Sequence, residues 1–163
     1  MSDVLCIYYS RTGNTKKAME EIGAALDAEV VFVTDDAPRS GFWGCLRCGM
    51  DAMRKTTQPL MHFETERLLS QYRLAIIGTP IWAGRCSSVI REFLKEYGSQ
   101  LQNVGYVVTR GSGERFQEVY EQMDHYVPRP HKLAVSLRIS SVGYYFWQEE
   151  FLRQAKDFLK GEQ

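Results

Sequence analysis

Three short stretches hold the residue types best suited to chemistry: "SRTGNT" (Ser10 to Thr15), "GTPIWAG" (Gly78 to Gly84) and "TRGSG" (Thr109 to Gly113). The first offers hydroxyls at Ser10, Thr12 and Thr15, an amide at Asn14, and backbone N–H groups freed of bulk at Gly13. Such a run at the start of a helix is an anion cradle. Charge-assisted hydrogen bonds contribute roughly 1.5–3 kcal/mol each, so four or five could hold a phosphate dianion without a lysine. Ordinary N-cap chemistry explains one or two of these residues, but not the whole run. Neither G-x-x-x-x-G-K-[ST] nor G-x-G-x-x-G occurs, which excludes a nucleoside triphosphate loop and a Rossmann pyrophosphate loop.

Each of the three stretches also carries or adjoins an arginine: Arg11, Arg85 and Arg110. Converging, they would form a positive rim for an anionic donor such as NADPH or an acidic substrate; otherwise they are solvated loop cations. Cys45-x-x-Cys48 has the spacing of a redox disulfide or of half a zinc site. Zinc would need two more ligands, and His62, His125 and His131 show no ligand pairing, so no metal site is expected. Cys6 is expected to be buried in a strand, and Cys86 lies beside the second stretch.

These residues need a scaffold, and the rest of the chain supplies one. Apolar runs alternate with helical patterns throughout, the rhythm of an α/β fold. Asp3 to Tyr9, Leu74 to Gly78 and Val104 to Val108 read as inner strands of a parallel sheet, and Glu29 to Thr34 as a further strand. "HKLAVSLRI" alternates polar with apolar, which predicts an edge strand with one wetted face. Helical stripes are Met19, Ile22 and Leu26; Val89, Ile90, Phe93, Leu94 and Tyr97; Phe116, Val119, Tyr120 and Met123; and Phe151, Leu152, Ala155, Phe158 and Leu159. The irregular stretch Asp35 to Thr65 holds an extra amphipathic helix, with Phe42, Leu46, Gly49, Met50 and Met53 on one face. Tyr144 to Trp147 form an aromatic run before the last helix, too crowded for every ring to point inward, and could serve a dimer contact or a lid.

Five strands with intervening helices make a doubly wound five-stranded parallel sheet, and the 163 residues are expected to form a single domain. Twenty basic residues balance twenty acidic ones, so no global field draws the chain to nucleic acid or to an anionic membrane. No stretch has membrane-spanning length, no charged segment leads into an apolar one at the N-terminus, and four scattered cysteines suit a reducing compartment. The expectation is a cytoplasmic protein.

In a doubly wound sheet, ligands lie outside the carboxyl ends of the strands, where all three stretches fall. "SRTGNT" after a buried strand resembles the phosphate loop of flavodoxins and flavodoxin-like proteins, and "GTPIWAG" and "TRGSG" agree with it in order and spacing. The resemblance covers nearly the whole chain. It implies strand order 2-1-3-4-5 and FMN lying across the three loops. Binding would then involve Ser10, Arg11, Thr12, Gly13, Asn14 and Thr15 around the phosphate, Pro80, Ile81, Trp82, Ala83 and Gly84 along the ring, and Thr109, Arg110, Gly111 and Gly113 beyond it. Trp82 could stack on the ring, with core packing as its other reading, and the Ala83–Gly84 peptide corresponds to the loop that turns toward flavin N5 in flavodoxins. The resemblance implies an electron-transfer carrier working with a redox partner protein. The absence of a strongly acidic surface and of a second stacking aromatic keeps two alternatives open: an NAD(P)H-dependent FMN quinone reductase or nitroreductase, and a flavodoxin-domain protoporphyrinogen dehydrogenase. No side-chain acid or base is required for the carrier reading, since the flavin carries the redox chemistry.

Overall fold

The computed structural model describes residues 1–54 and 58–161; residues 55–57, inside the irregular stretch, lie outside the described residues. In chain order the elements are β1 (Val4–Tyr8), α1 (Asn14–Leu26), β2 (Glu29–Phe32), α2 (Gly41–Arg54), β3 (Leu74–Trp82), β4 (Arg85–Cys86), α3 (Ser88–Tyr97), β5 (Val104–Thr109), α4 (Glu118–Asp124), β6 (Leu133–Leu137) and α5 (Tyr144–Gly161). Five strands form a parallel path in the order β2-β1-β3-β5-β6, the expected 2-1-3-4-5 arrangement. The short β4 is additional and pairs antiparallel with the far end of β3.

Continuous apolar runs become strands covered on both faces, because neighbouring side chains point to opposite sides. Leu5, Ile7, Ala75 and Ile77 pack with Val89, Ile90, Phe93, Val119 and Met123, filling the layer between the sheet, α3 and α4. Val4, Cys6, Leu74 and Ile76 pack instead with Met19, Ile22, Phe151 and Ala155 from α1 and α5. Phe116 departs from the expected α4 stripe: it precedes the helix, with a positive φ of 55°, and only part of it reaches the core.

The edges differ from the sequence reading in an instructive way. β6 is an edge strand, but its wetted face is narrower than expected: Leu133, Val135, Ser136 and Leu137 are buried and Ala134 is half-buried, while Lys132, just before the strand, is exposed. Its alternation misleads because Ser136 is covered, its Oγ accepting a 2.9 Å bond from Arg110 Nε. The half-exposed edge is β2, whose Val30 and Phe32 face solvent.

Helix α2 forms where expected, but its apolar stripe points outward. Phe42, Trp43, Leu46, Met50 and Met53 are all exposed, while Gly44 and Cys48 are buried. What docks the helix is charge. The Arg39 guanidinium, buried before α2, pairs with Asp35 after β2, reaches Asp51 Oδ2 on α2 at 3.3 Å, and donates to Ser88 Oγ at the start of α3 at 3.1 Å. The Asp35 contact is two-pronged, with both guanidinium Nη atoms on the carboxylate. Gly44 sits on the Arg39 backbone so closely that an added Cβ would lie 2.0 Å from its carbonyl carbon. Removing one partner from a buried ion pair costs about 3–5 kcal/mol, because the other charge stays buried. Arg39→Met is therefore expected to destabilise the protein by about that amount, read as a lowered urea midpoint with unchanged slope. A loss below about 1 kcal/mol, the range of exposed pairs, would show that the network is not what anchors α2.

Candidate functional site

The carboxyl ends of β1, β3 and β5 meet α2 around an open cavity of about 360 Å³. That volume lies within the roughly 300–1,000 Å³ usual for small-molecule sites. From the loop after β1, Ser10, Arg11, Thr12, Asn14 and Thr15 line it. Pro80, Ile81, Trp82 and Ala83 come from the end of β3, and Thr109, Arg110 and Gly111 from the end of β5. Gly13, Gly84 and Gly113 do not line the cavity; they belong to the turns that shape it.

The first loop is organised to leave donors free. Gly13 takes a left-handed φ of 96°, and its N–H donates to Ser10 Oγ at 3.0 Å, which folds the loop back on itself. The Lys17 N–H donates to Gly13 O at 3.0 Å. The earlier amides of α1 therefore have no partner within the helix, and the positive end of its dipole faces the cavity. Lys17 is not part of this cradle: it pairs with Glu21 and sits over the rings of Tyr144 and Tyr145. Thr15 is nearly fully buried, and its hydroxyl meets that of Thr109 at 2.7 Å, tying the first loop to the third. Thr12 and Asn14 remain exposed.

The second loop is a tight hairpin. Ile81 pairs with Cys86 and Trp82 with Arg85, leaving only Ala83 and Gly84 as the turn. Both have positive φ, 48° and 73°, the pattern of a type I′ turn. β3 therefore runs four residues beyond the Gly78 expected as its end. Trp82 lies at the boundary between core and cavity and is only 6% exposed. Arg39 covers its ring at 5.2 Å, and Tyr9 meets it in a T-shaped contact at 5.5 Å. It offers the cavity a strip of its ring rather than an open stacking face.

The three arginines separate. Arg11 lines the cavity and donates to the Arg39 carbonyl at 3.1 Å. Arg110 also lines it, held by Ser136 Oγ and by the Ser112 carbonyl at 2.6 Å. Burial, and then the like charges of Arg115 and Arg138, lower its pKa, so this rim is electropositive. Arg85 faces a different cavity, about 170 Å³, shared with Cys86, Arg91 and His125. Its side chain follows the antiparallel pairing of β4, which the sequence did not reveal.

Sequence reasoning missed one wall. Cys45, Cys48 and Gly49 of α2 line the same cavity as the three loops. The available signal was positional: a helix that follows β2 starts from the carboxyl edge of the sheet, where the ligand loops are. The aromatic run does not precede α5 but forms its first turn, and it splits, with Tyr144 buried, its hydroxyl donating to Glu21 at 2.9 Å, and Tyr145 and Phe146 exposed. Trp147 carries Arg115 over its ring at 4.3 Å. None of the four lines the cavity.

This architecture is a flavodoxin-like fold. No protein-family model and no curated protein matches the chain. Solved structures do resemble it, among them the following three at low identity. A Lactobacillus acidophilus flavoprotein in complex with FMN has a TM-score of 0.65 at 19% identity, over 90% of this chain and 99% of that one. A flavodoxin, WrbA-like protein from Agrobacterium tumefaciens gives 0.58 at 16%, over 98% and 99%. Two-electron-reduced Megasphaera elsdenii flavodoxin gives 0.56 at 18%, over 94% and 98%. Among the described residues, no three His, Cys, Asp or Glu side chains are grouped to hold a metal, and no helix is long and apolar enough to cross a membrane.

Burial sorts the four thiols. It pushes Cys6 up to about 12 and both Cys48 and Cys86 up to about 11, with nearby arginines opposing the rise at the latter two. These thiols stay protonated at pH 8, whereas Cys45 is exposed. Brief iodoacetamide treatment of the native protein at pH 8 is expected to label Cys45 alone, since the thiolate is the nucleophile. Comparable labelling of Cys6 or Cys86 in a peptide map would contradict this burial.

Proposed function

We propose that the protein binds FMN in the 360 Å³ cavity and works as an electron carrier. The observation that carries this reading is the cradle of Ser10, Thr12, Asn14 and the first amides of α1, set opposite the Trp82–Ala83 hairpin and the Thr109–Gly111 loop in one cavity. The donor set fits a phosphate monoester. It is rich in hydroxyl and N–H donors and free of carboxylates, and Arg11 and Arg110 stand in the same lining. The hairpin and the third loop supply partly apolar walls with exposed backbone, the surroundings a flat heteroaromatic ring needs. Bound flavin would supply the redox chemistry; this chain's residues would anchor, orient and partly shield it.

The residues divide those tasks. Thr12 and Asn14 would hold phosphate oxygens, while Thr15, committed to Thr109, fixes the spacing between two loops. Ala83, at the turn, presents backbone to the ring edge, and Trp82 closes the inner wall. One hydrogen bond to a charged phosphate contributes about 1.5–3 kcal/mol, roughly a tenfold to hundredfold change in affinity. Thr12→Ala is therefore expected to weaken FMN by that factor and to leave riboflavin binding nearly unchanged, as measured by quenching of flavin fluorescence. Equal affinity of the wild type for FMN and riboflavin would remove the phosphate assignment.

A second reading, an NAD(P)H-dependent FMN quinone reductase or nitroreductase, draws support from Arg11 and Arg110, both at the cavity and both able to attract an anionic donor. Arg85, turned toward the other cavity, no longer adds to it. The carrier reading rests on the lack of any sequence pattern for a nicotinamide site. With FMN-loaded protein under anaerobic conditions, a carrier should oxidise NADPH and NADH only slowly unless a reductase is added. Rapid, salt-sensitive oxidation, with KM for NADPH raised by Arg110→Gln, would instead establish the reductase.

A further inference from the structure

Cys45 and Cys48 are the only cysteine pair in this chain placed three residues apart, and both open onto the cavity proposed for FMN. Their environments differ. Cys45 is exposed, Cys48 is 3% exposed, and the structure holds both as free thiols. Residues three apart on a helix have Cα atoms roughly 5 Å from each other, inside the approximately 4.4–6.8 Å range that a disulfide spans. Their Cβ atoms, roughly 5–6 Å apart, must close to about 3.5–4.5 Å. One turn of α2 must therefore tighten. Gly49, next to Cys48 and with open space where a Cβ would stand, is the place where the backbone can yield. A disulfide strained in this way is readily reduced, the kind that switches rather than staples.

We propose that Cys45 and Cys48 form a reversible dithiol/disulfide couple in the cavity wall, with Cys45 meeting outside disulfides and Cys48 resolving. The co-reactant is a small organic disulfide of the glutathione type. Cys45 thiolate attacks one sulfur of that disulfide, forming a mixed disulfide and releasing the first small thiolate. Cys48 gives its proton to the released thiolate and attacks Cys45 Sγ; the Cys45–Cys48 bond forms and the second small thiolate leaves. Two protons and two electrons pass from the pair to give two small thiols, and excess small thiol reverses the sequence. Burial makes Cys48 a poor thiolate toward outside reagents, while the charges of Arg39 and Arg11 oppose that rise. Proximity then confines its reaction to its neighbour. Because the turn that tightens is part of the wall, the oxidised and reduced proteins should bind FMN differently. That consequence rests on the FMN reading; the couple itself does not.

The test equilibrates the intact apoprotein with glutathione and glutathione disulfide over a series of ratios, quenches with acid, and maps the peptides by mass spectrometry. Expected is loss of two hydrogens from the α2 peptide, reversed by reduced glutathione. Cys48→Ser should stop at a glutathione adduct on Cys45, and Cys45→Ser should remain unmodified. A stable adduct on wild-type Cys45 without ring closure would overturn the proposal, as would a bridge to Cys6 or Cys86. Both readings use the wild-type chain, so they hold even if a serine variant does not fold. FMN affinity is then measured for both redox forms, with a several-fold difference expected. Equal affinity would remove the coupling to the wall, whereas no FMN binding in either form would refute the cofactor reading and leave the dithiol result standing.

Discussion

The site depends on one buried cation. Arg39 joins the end of β2, the inner side of α2 and the first residue of α3, and its backbone carbonyl receives Arg11 from the loop after β1. Its charge is costly to bury, and burial acts to lower its pKa. Asp35 foremost, then Tyr9 and Asp51, outweigh that effect and hold the pKa above its usual value. The guanidinium also lies over Trp82, so the same group that docks α2 fixes the inner wall of the cavity. A hydrophobic contact could have held the helix with less penalty, but not with this specificity. Arginine's planar fork allows one cation to set the direction of several partners at once.

That constraint explains the reversed polarity of α2. A surface helix usually turns its apolar stripe to the core. Here Gly44, Cys48 and Asp51 face inward, because the space beside Arg39 admits only a close backbone approach, a small side chain and a carboxylate. The large apolar residues are left on the outside.

Much of the fold was legible in the sequence because a parallel sheet buries its strands on both faces. Continuous runs such as "VLCIY" and "VGYVVT" permit little else. The order of the three loops followed from the same pattern, and twelve of the fifteen candidate residues line one cavity. What could not be read was set by tertiary pairing. Ser136 looks solvent-facing until Arg110 is found across from it, and Arg85 points away because of a two-residue turn that no run of residues before it announces. The role of α2 was hidden for a related reason: periodicity identifies an apolar face but not the direction it takes, and a buried ion network can override the usual choice. Trp82 combines two readings that the sequence kept apart, since it belongs to the core and to the cavity wall together.

The Ala83–Gly84 turn shows what the hairpin does for the site. Two-residue hairpins favour type I′ geometry because its twist matches that of the strands, and Asn-Gly is the usual choice. Alanine at a positive φ costs roughly 1–2 kcal/mol, since its Cβ crowds the neighbouring carbonyl. The cost is sustained by the pairs Ile81–Cys86 and Trp82–Arg85, and by Ser87, whose N–H donates to Thr79 Oγ1 at 2.9 Å within the same unit. An asparagine would relieve the strain but place a polar side chain at the cavity, where Ala83 leaves only a methyl group and bare backbone. Strain held at this point, with the smallest chiral side chain, keeps the main chain of the turn at the edge of the cavity.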